Sequence, residues 1–253
     1  MTLLEVEDVT VRFGGIVALD GLSFGIEEGH ICGLIGPNGA GKTTMFNVVS
    51  RIYQPTVGSV KFRGQELLGV PAHGIAKLGI ARTFQNLALF PTMSLLENVM
   101  VGAHSQGRVG FAQAISRVGV ARDNRRTRDR AGDLLNQLGL GHLAFQPAVG
   151  LPFGTLKRLE IARALAAEPT FLLMDEPAAG LTHGEVDELG VTIRTIRDQF
   201  QLTVLLVEHH MSMVMSISDR VVAMEFGRKI ADGTPAEVQS NEKVIEAYLG
   251  TTS

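Results

Sequence analysis

Apolar positions recur along this chain at more than one period. Leu4, Val6, Val9, Val11 and Phe13, then Leu22, Phe24 and Ile26, largely follow a period of two. That spacing predicts an N-terminal antiparallel sheet with one half-exposed face, which residues 59–62 join. Four short runs behave differently: 31–35, 170–174, 203–207 and 221–224 are apolar or β-branched almost throughout, as strands covered on both faces are. Helical stretches fall between them at 42–50, 156–167 and 184–200. The alternation of strand and helix predicts a mostly parallel sheet covered by helices. From 86 to 150 no strand signature occurs, and 95–101 and 130–138 read as helices. A helical subdomain over 86–150 is therefore expected, inserted into an α/β core of 1–85 and 151–253, the whole folding as a single domain. No internal repeat or glycine-serine linker separates the two parts.

Composition narrows the function. The 253 residues carry 23 Lys+Arg against 26 Asp+Glu, a net charge of −3, which excludes the strongly basic footprint of a dedicated nucleic-acid binder. With 45% hydrophobic and 19% charged residues, a sizeable core can close. The single cysteine, Cys32, has no intramolecular partner, and the start MTLLEVEDVT lacks the basic patch and long apolar run of a secretory signal, so a reduced, cytoplasmic setting is expected. The longest uncharged stretch, 134–156, is broken by Asn136, Gln137, Gln146, Pro147, Pro152 and several glycines, so no membrane crossing is expected. The seven histidines show no ligand spacing with Cys32, and no zinc site is predicted. The run 122–130, with five Arg and two Asp, reads as a solvated face.

The chemistry starts after the first buried run. GPNGAGKTT, residues 36–44, satisfies GxxxxGK[ST] between a predicted strand and a predicted helix, the context that a phosphate-binding loop requires. Glycines at Gly36, Gly39 and Gly41 leave room for the amides of Asn38, Gly39, Ala40, Gly41, Lys42, Thr43 and Thr44 to turn inward on one anion, and the helix start adds partial positive charge. Lys42 reaches the β- and γ-phosphates of a triphosphate, and the Thr43 hydroxyl coordinates Mg²⁺. The bland alternative, a glycine-rich turn that binds nothing, does not explain why motif, strand and helix coincide. FLLMDE, 171–176, ends a second buried run in carboxylates. Asp175 would hold Mg²⁺ through water, and Glu176 would polarise a water for in-line attack on the γ-phosphorus.

These motifs lie among VRFGGIVALDGLSF, RTFQNLALFPTMSLLENV, LPFGTLKRLEIARAL, LLMDEPAAGLT, LLVEHHM and ADGTPAEVQSNEKVIEAYLG. Over nearly its whole length the chain resembles the ATP-binding subunits of ABC transporters, most closely the G-type ATPase of branched-chain amino acid importers. The resemblance implies a P-loop NTPase fold with an inserted helical subdomain, ATP and Mg²⁺ as ligands, and ATP hydrolysis as the activity. It assigns Phe13 to stacking on adenine. Gln85 would be a metal ligand whose backbone links core and helical subdomain, and His209 the switch histidine that contacts the γ-phosphate; His210, at a position usually filled by Asp, is read as surface. The family signature LSGGQ is here LPFGT: Leu151 and Gly154 are retained, while Pro152 lacks the serine hydroxyl that donates to ATP held by the facing subunit. The amides near Gly154 and Thr155 would still face that phosphate from a helix start that proline favours. Thr182 stands where the family has Asp or Asn.

By the same resemblance, two ATPase subunits, identical or different, clamp two nucleotides head to tail, each held by Lys42 and His209 from one side and by the Gly154 region from the other. The implied partners are transmembrane permease subunits and, indirectly, an extracytoplasmic solute-binding protein. Leu87, Leu89 and Phe90 would meet a permease helix, placing the subunit on the inner face of the membrane. A soluble ABC ATPase acting on DNA or ribosomes would need a coiled coil or a second cassette, and the sequence has neither. A phosphate-loop kinase would have no use for a signature helix. A lipopolysaccharide-export ATPase shares the core, but LPFGT and AAGLT fit the importer type better.

Overall fold

The computed structural model describes residues 1–83, 87–103 and 117–249, the side chains of 117–124 and of 249 excepted. Its contacts divide the chain into two units, Met1–Ile75 with Thr170–Ser253, and Ala76–Pro169. The second is wider than the 86–150 insertion expected from the strand-free stretch.

The first unit opens with an antiparallel sheet of β1 (Thr2–Phe13), β2 (Ile16–Glu27), β4 (Val57–Phe62) and β5 (Gln65–Glu66), in the order β2-β1-β4-β5. Leu4, Val6, Val9 and Val11 are buried. The step of three from Val6 to Val9 breaks strict alternation because the register shifts there, with Asp8 at φ 49. Such a bulge inserts one residue and restores the same face to the core. Its conformation is held by the Asp8 N–H, which donates to Ser23 Oγ at 2.8 Å, and by the Ser23 hydroxyl, which donates back to Asp8 Oδ1 at 3.1 Å.

Beside it, β3 (Ile31–Ile35), β7 (Phe171–Asp175), β8 (Thr203–Val207), β9 (Arg220–Glu225) and β10 (Arg228–Gly233) follow the order β10-β9-β3-β8-β7. All but the β9–β10 hairpin pair in parallel. β3, β7 and β8 are buried at every position, which is why their sequences show no polar alternation. Cys32 lies in β3, fully buried, and burial pushes its thiol up to about 12. Helices α1 (Lys42–Val49), α5 (His183–Phe200) and α6 (Met211–Ile217) follow β3, β7 and β8. Helix α5 starts at Thr182, whose N–H and hydroxyl both donate to the Glu185 carboxylate, the return half of a capping box. This cap is what the threonine in place of Asp supplies. Two short helices, α7 (Pro235–Gln239) and α8 (Glu242–Leu249), close the unit. Because β8 lies between β3 and β7, the loops leaving the carboxyl ends of all three strands are neighbours, the usual ligand crevice of an open parallel sheet.

The second unit contains β6 (Ile80–Arg82), α2 (Leu95–Ala103), α3 (Arg117–Gln137) and α4 (Phe153–Leu165). Helix α3 begins well before the expected 130, since the charged run before it carries no apolar stripe to mark a helix; Arg125, Arg126, Arg128 and Asp129 in it are exposed. Helix α4 packs on α2 so closely that a Cβ at Gly102 would lie 2.0 Å from the Arg163 carbonyl oxygen. That contact explains why α4, expected in the core by its place after residue 150, groups with the helical unit. Asn98 in α2 is fully buried; its side chain accepts from the Phe90 N–H and donates to the carbonyls of Phe90, Met93 and Ser94. Its two N–H donors are shared among the three carbonyls while its oxygen takes the Phe90 amide, which fixes the segment that carries Phe90. Among the described residues no helix is long and apolar enough to cross a membrane.

Candidate nucleotide site

The turn after β3 is set by close backbone approach. A Cβ at Gly36 would lie 2.3 Å from the Met224 carbonyl oxygen, and one at Gly41, where φ is 100, would lie 2.6 Å from that of Ala18. Gly41 is the N-cap of α1, and no side chain caps that end. The N–H groups of the first turn are thus left for another acceptor. Ala40 is buried, its carbonyl accepting from the Gly227 N–H at 3.0 Å, while Asn38, Gly39 and Thr43 are exposed and Thr44 half-buried. The sequence thus places seven amides and a hydroxyl on one loop, and the structure anchors that loop from behind.

Lys42 is buried, its ammonium donating to the Gly36 carbonyl at 2.7 Å and the Pro37 carbonyl at 3.0 Å. These bonds curl the side chain back over its own loop, where the phosphates of a nucleotide would meet it. Burial lowers the Lys42 ammonium below its ordinary value, and the nearby carboxylates of Glu176 and Asp175 oppose that shift.

Asp175 ends β7 and is buried; Glu176 follows with φ 48. A non-glycine residue in the left-handed region is strained and needs its surroundings to hold it. Here the Glu176 N–H donates to the Val207 carbonyl of β8 at 2.8 Å, and Glu176 Oε1 lies 2.6 Å from His209 Nε2. The structure therefore brings Lys42, Asp175, Glu176 and His209, from three separate loops, to the same end of the sheet.

Other expected residues stand apart from this cluster. Phe13 is exposed at the end of β1, its ring edge-on to Tyr53 with centroids 5.1 Å apart. Gln85 lies outside the described residues. The signature segment belongs to the second unit: α4 begins at Phe153, three residues before the expected 156, with Pro152 as its N-cap and no side-chain capping bond. Proline thus precedes the first turn instead of sitting in it. Leu151 and Gly154 are half-buried, and Thr155 is buried, so its hydroxyl is withdrawn from solvent.

Glu208 and Tyr248 escaped the sequence reading, and His210 was misplaced by it. Glu208, directly after β8, has a buried carboxylate that accepts from the Ala178 and His209 N–H groups; the signal was present in LLVEHH, where a charge meets the end of a buried strand as Asp175 does in β7. His210, read as surface, is half-buried with Nδ1 3.1 Å from Glu208 Oε2. Tyr248 in α8 hydrogen-bonds the backbone of Gly36, and its burial raises the phenol above its ordinary value. No motif in the C-terminal tail pointed back to the phosphate loop.

The donors suit a hard cation. The exposed Thr43 hydroxyl and the Asp175 carboxylate at the strand end are oxygen ligands, which favour Mg²⁺ over softer metals. Among the described residues no three His, Cys, Asp or Glu form a metal cage.

Comparison with known proteins agrees with this geometry. A family model described as ABC transporter matches residues 19–179, and one described as branched-chain amino acid ATP-binding cassette transporter matches 228–252. The chain is 43% identical over 249 residues to the high-affinity branched-chain amino acid transport ATP-binding protein BraF of Pseudomonas aeruginosa, covering 98% of each. It is 41% identical to the corresponding LivG protein of Escherichia coli, again with 98% of each covered. A crystal structure of an ABC transporter's ATP-binding cassette in its ADP conformation superposes with a TM-score of 0.87 at 30% identity, covering 99% of both chains. The chain belongs to the ABC transporter family of ATP-binding cassettes.

Proposed function

We propose that this chain is the ATP-binding and ATP-hydrolysing subunit of an importer for branched-chain amino acids or similar small polar solutes. The single observation that carries the catalytic part is the 2.6 Å contact between Glu176 and His209, formed at the mouth of the phosphate loop. In the reading supported by that contact, the amides of 38–44 and the Lys42 ammonium bind the β- and γ-phosphates. Thr43 and Asp175 would hold Mg²⁺, which when bound neutralises phosphate charge. Glu176 accepts the proton of the attacking water, and His209 holds the carboxylate in place while its ring reports the γ-phosphate. Phe13 stacks on the adenine and Gln85 adds a metal ligand. General-base catalysis of this kind contributes roughly 10²–10⁴-fold.

The signature amides of Gly154 and Thr155, beside Leu151, serve the ATP of a facing subunit, so nucleotide binding draws two cassettes together and hydrolysis lets them part. In the helical unit Phe90, Met93, Phe145 and Val149 are exposed apolar residues. The segments bearing them run side by side, the Val149 N–H donating to the Pro91 carbonyl at 2.9 Å and the Ala148 N–H to that of Met93 at 3.0 Å. Exposed apolar side chains grouped on a fixed backbone suit a permease helix, and such docking would hold the subunit at the cytoplasmic face of the membrane. The names of the relatives support branched-chain amino acids as cargo. Reconstitution with the cognate permeases and binding protein should give phosphate release that accelerates when the binding protein is loaded with leucine, isoleucine or valine. No acceleration by these, by other amino acids or by amides and urea would remove the transport reading.

A further inference from the structure

Glu208 is the least exposed carboxylate near the reacting groups: its side chain is 1% exposed. A charge withdrawn from water is costly unless several donors replace the lost hydration. Oε1 accepts from the Ala178 N–H at 2.6 Å, and Oε2 accepts from the His209 N–H at 2.9 Å and the His210 N–H at 3.3 Å, with His210 Nδ1 at 3.1 Å. Among the described residues its only ion-pair partner is that histidine. The donors divide into two sets: Ala178 is two residues beyond Glu176, and His209 and His210 are the next residues of Glu208's own loop. One carboxylate therefore bridges the loop that carries Glu176 and the loop that carries His209, just behind the contact between their side chains.

We propose that Glu208 is a positioning residue for ATP hydrolysis, setting the His209 backbone against the Glu176 loop so that the imidazole meets the catalytic carboxylate. The inference rests on the roles given above to Glu176 and His209. Glu208 touches neither nucleotide nor attacking water; it acts through His209. Both its oxygens are needed, since the two loops are held by opposite ends of the same group. The conversion Glu208→Gln keeps the shape but turns one end into a donor facing backbone N–H groups, so one side of the bridge must let go. A displacement of about 1 Å in a catalytic pair can cost on the order of 10²-fold in rate.

The test is steady-state phosphate release from MgATP by the subunit assembled with its cognate partners. Glu208→Gln should lower kcat at least tenfold and leave KM for ATP within twofold, because the phosphate loop is untouched. In a His209→Ala background the same substitution should lower kcat by less than twofold, the signature of two groups acting as a unit. Equal losses in both backgrounds, or no loss in the first, would make Glu208 a structural carboxylate only. A wild-type assembly that releases no phosphate sinks the catalytic reading and this inference together, whereas an active wild type matched by Glu208→Gln sinks this inference alone. Should Glu208→Gln not fold, amide exchange of the wild-type subunit decides: slow, matched exchange at Ala178 and His209 supports the bridge, and rapid exchange at either overturns it.

Discussion

Gly39 and Gly41, neighbours but one in the phosphate loop, should respond very differently to one added methyl group. At Gly41 φ is 100, and a Cβ would meet the Ala18 carbonyl oxygen at 2.6 Å and Leu19 Cδ2 at 2.8 Å. Ordinary carbon–oxygen contacts start near 3.3 Å, so β2 or the start of α1 must move by roughly 0.7 Å. The left-handed conformation costs about 1–2 kcal/mol, and overpacking against backbone about 1–3 kcal/mol more. Gly41→Ala should therefore lose about 2–5 kcal/mol, which at 2–4 °C per kcal/mol lowers Tm by roughly 4–20 °C. Gly39 has φ 82 but nothing within 4 Å of its Cβ position, so Gly39→Ala bears only the conformational cost, about 1–2 kcal/mol. Scanning calorimetry measures both, and titration with a fluorescent ATP analogue follows the function: Gly41→Ala, which displaces Lys42, should weaken binding at least tenfold, Gly39→Ala less. Equal Tm losses for the two variants would refute the argument that backbone proximity dictates the loop.

Three further outcomes follow from named contacts. Lys42→Ala should abolish nucleotide binding by the same titration, because among the described residues no other cation donates to the phosphate loop's carbonyls. Pro152→Ser restores an N-cap hydroxyl at the start of α4; a hydrogen bond to a charged phosphate is worth about 1.5–3 kcal/mol, so ATP-driven dimers should tighten roughly 10–100-fold, and unchanged association and turnover would show the hydroxyl to be irrelevant. The Asp232 carboxyl is raised by burial but held net below its ordinary range by hydrogen bonds from Arg220 at 2.6 Å and Lys229 at 2.8 Å. The folded form then binds fewer protons than the unfolded one between that lowered value and about 3.9, so this stability is present above about pH 4 and lost on further acidification. Asp232→Asn should lower Tm at neutral pH and flatten its fall below about pH 4.

The strands were legible where burial is total. Runs 31–35 and 203–207 are β3 and β8 to the residue, because a strand covered on both faces announces itself by lacking polar positions. The bulge at Asp8 was visible only as a slip in period, since its cause is a pairing with Ser23 fifteen residues away. Helix α3 hid its passage ahead of residue 130 in a charged run with no apolar stripe. In the site, the phosphate loop and the Asp175–Glu176 pair were written in local motifs. Glu208 stood in LLVEHH as a charge beside a buried strand, but its bridging role was not legible, because it depends on β7 and β8 being neighbours, a fact of sheet order that no short segment encodes. Tyr248 is hidden for the same reason: it meets Gly36 from the far end of the chain.

ATP joins two cassettes, and Glu176 releases them by hydrolysis, in the cycle proposed above. Sedimentation velocity of the Glu176→Gln subunit with saturating MgATP, alone and mixed with its cognate ATPase partner, measures this directly. A dimer should form with ATP, persist because turnover is slowed by about 100-fold or more, and disappear when ADP replaces ATP. Monomers throughout, alone and with the partner, would contradict that cycle.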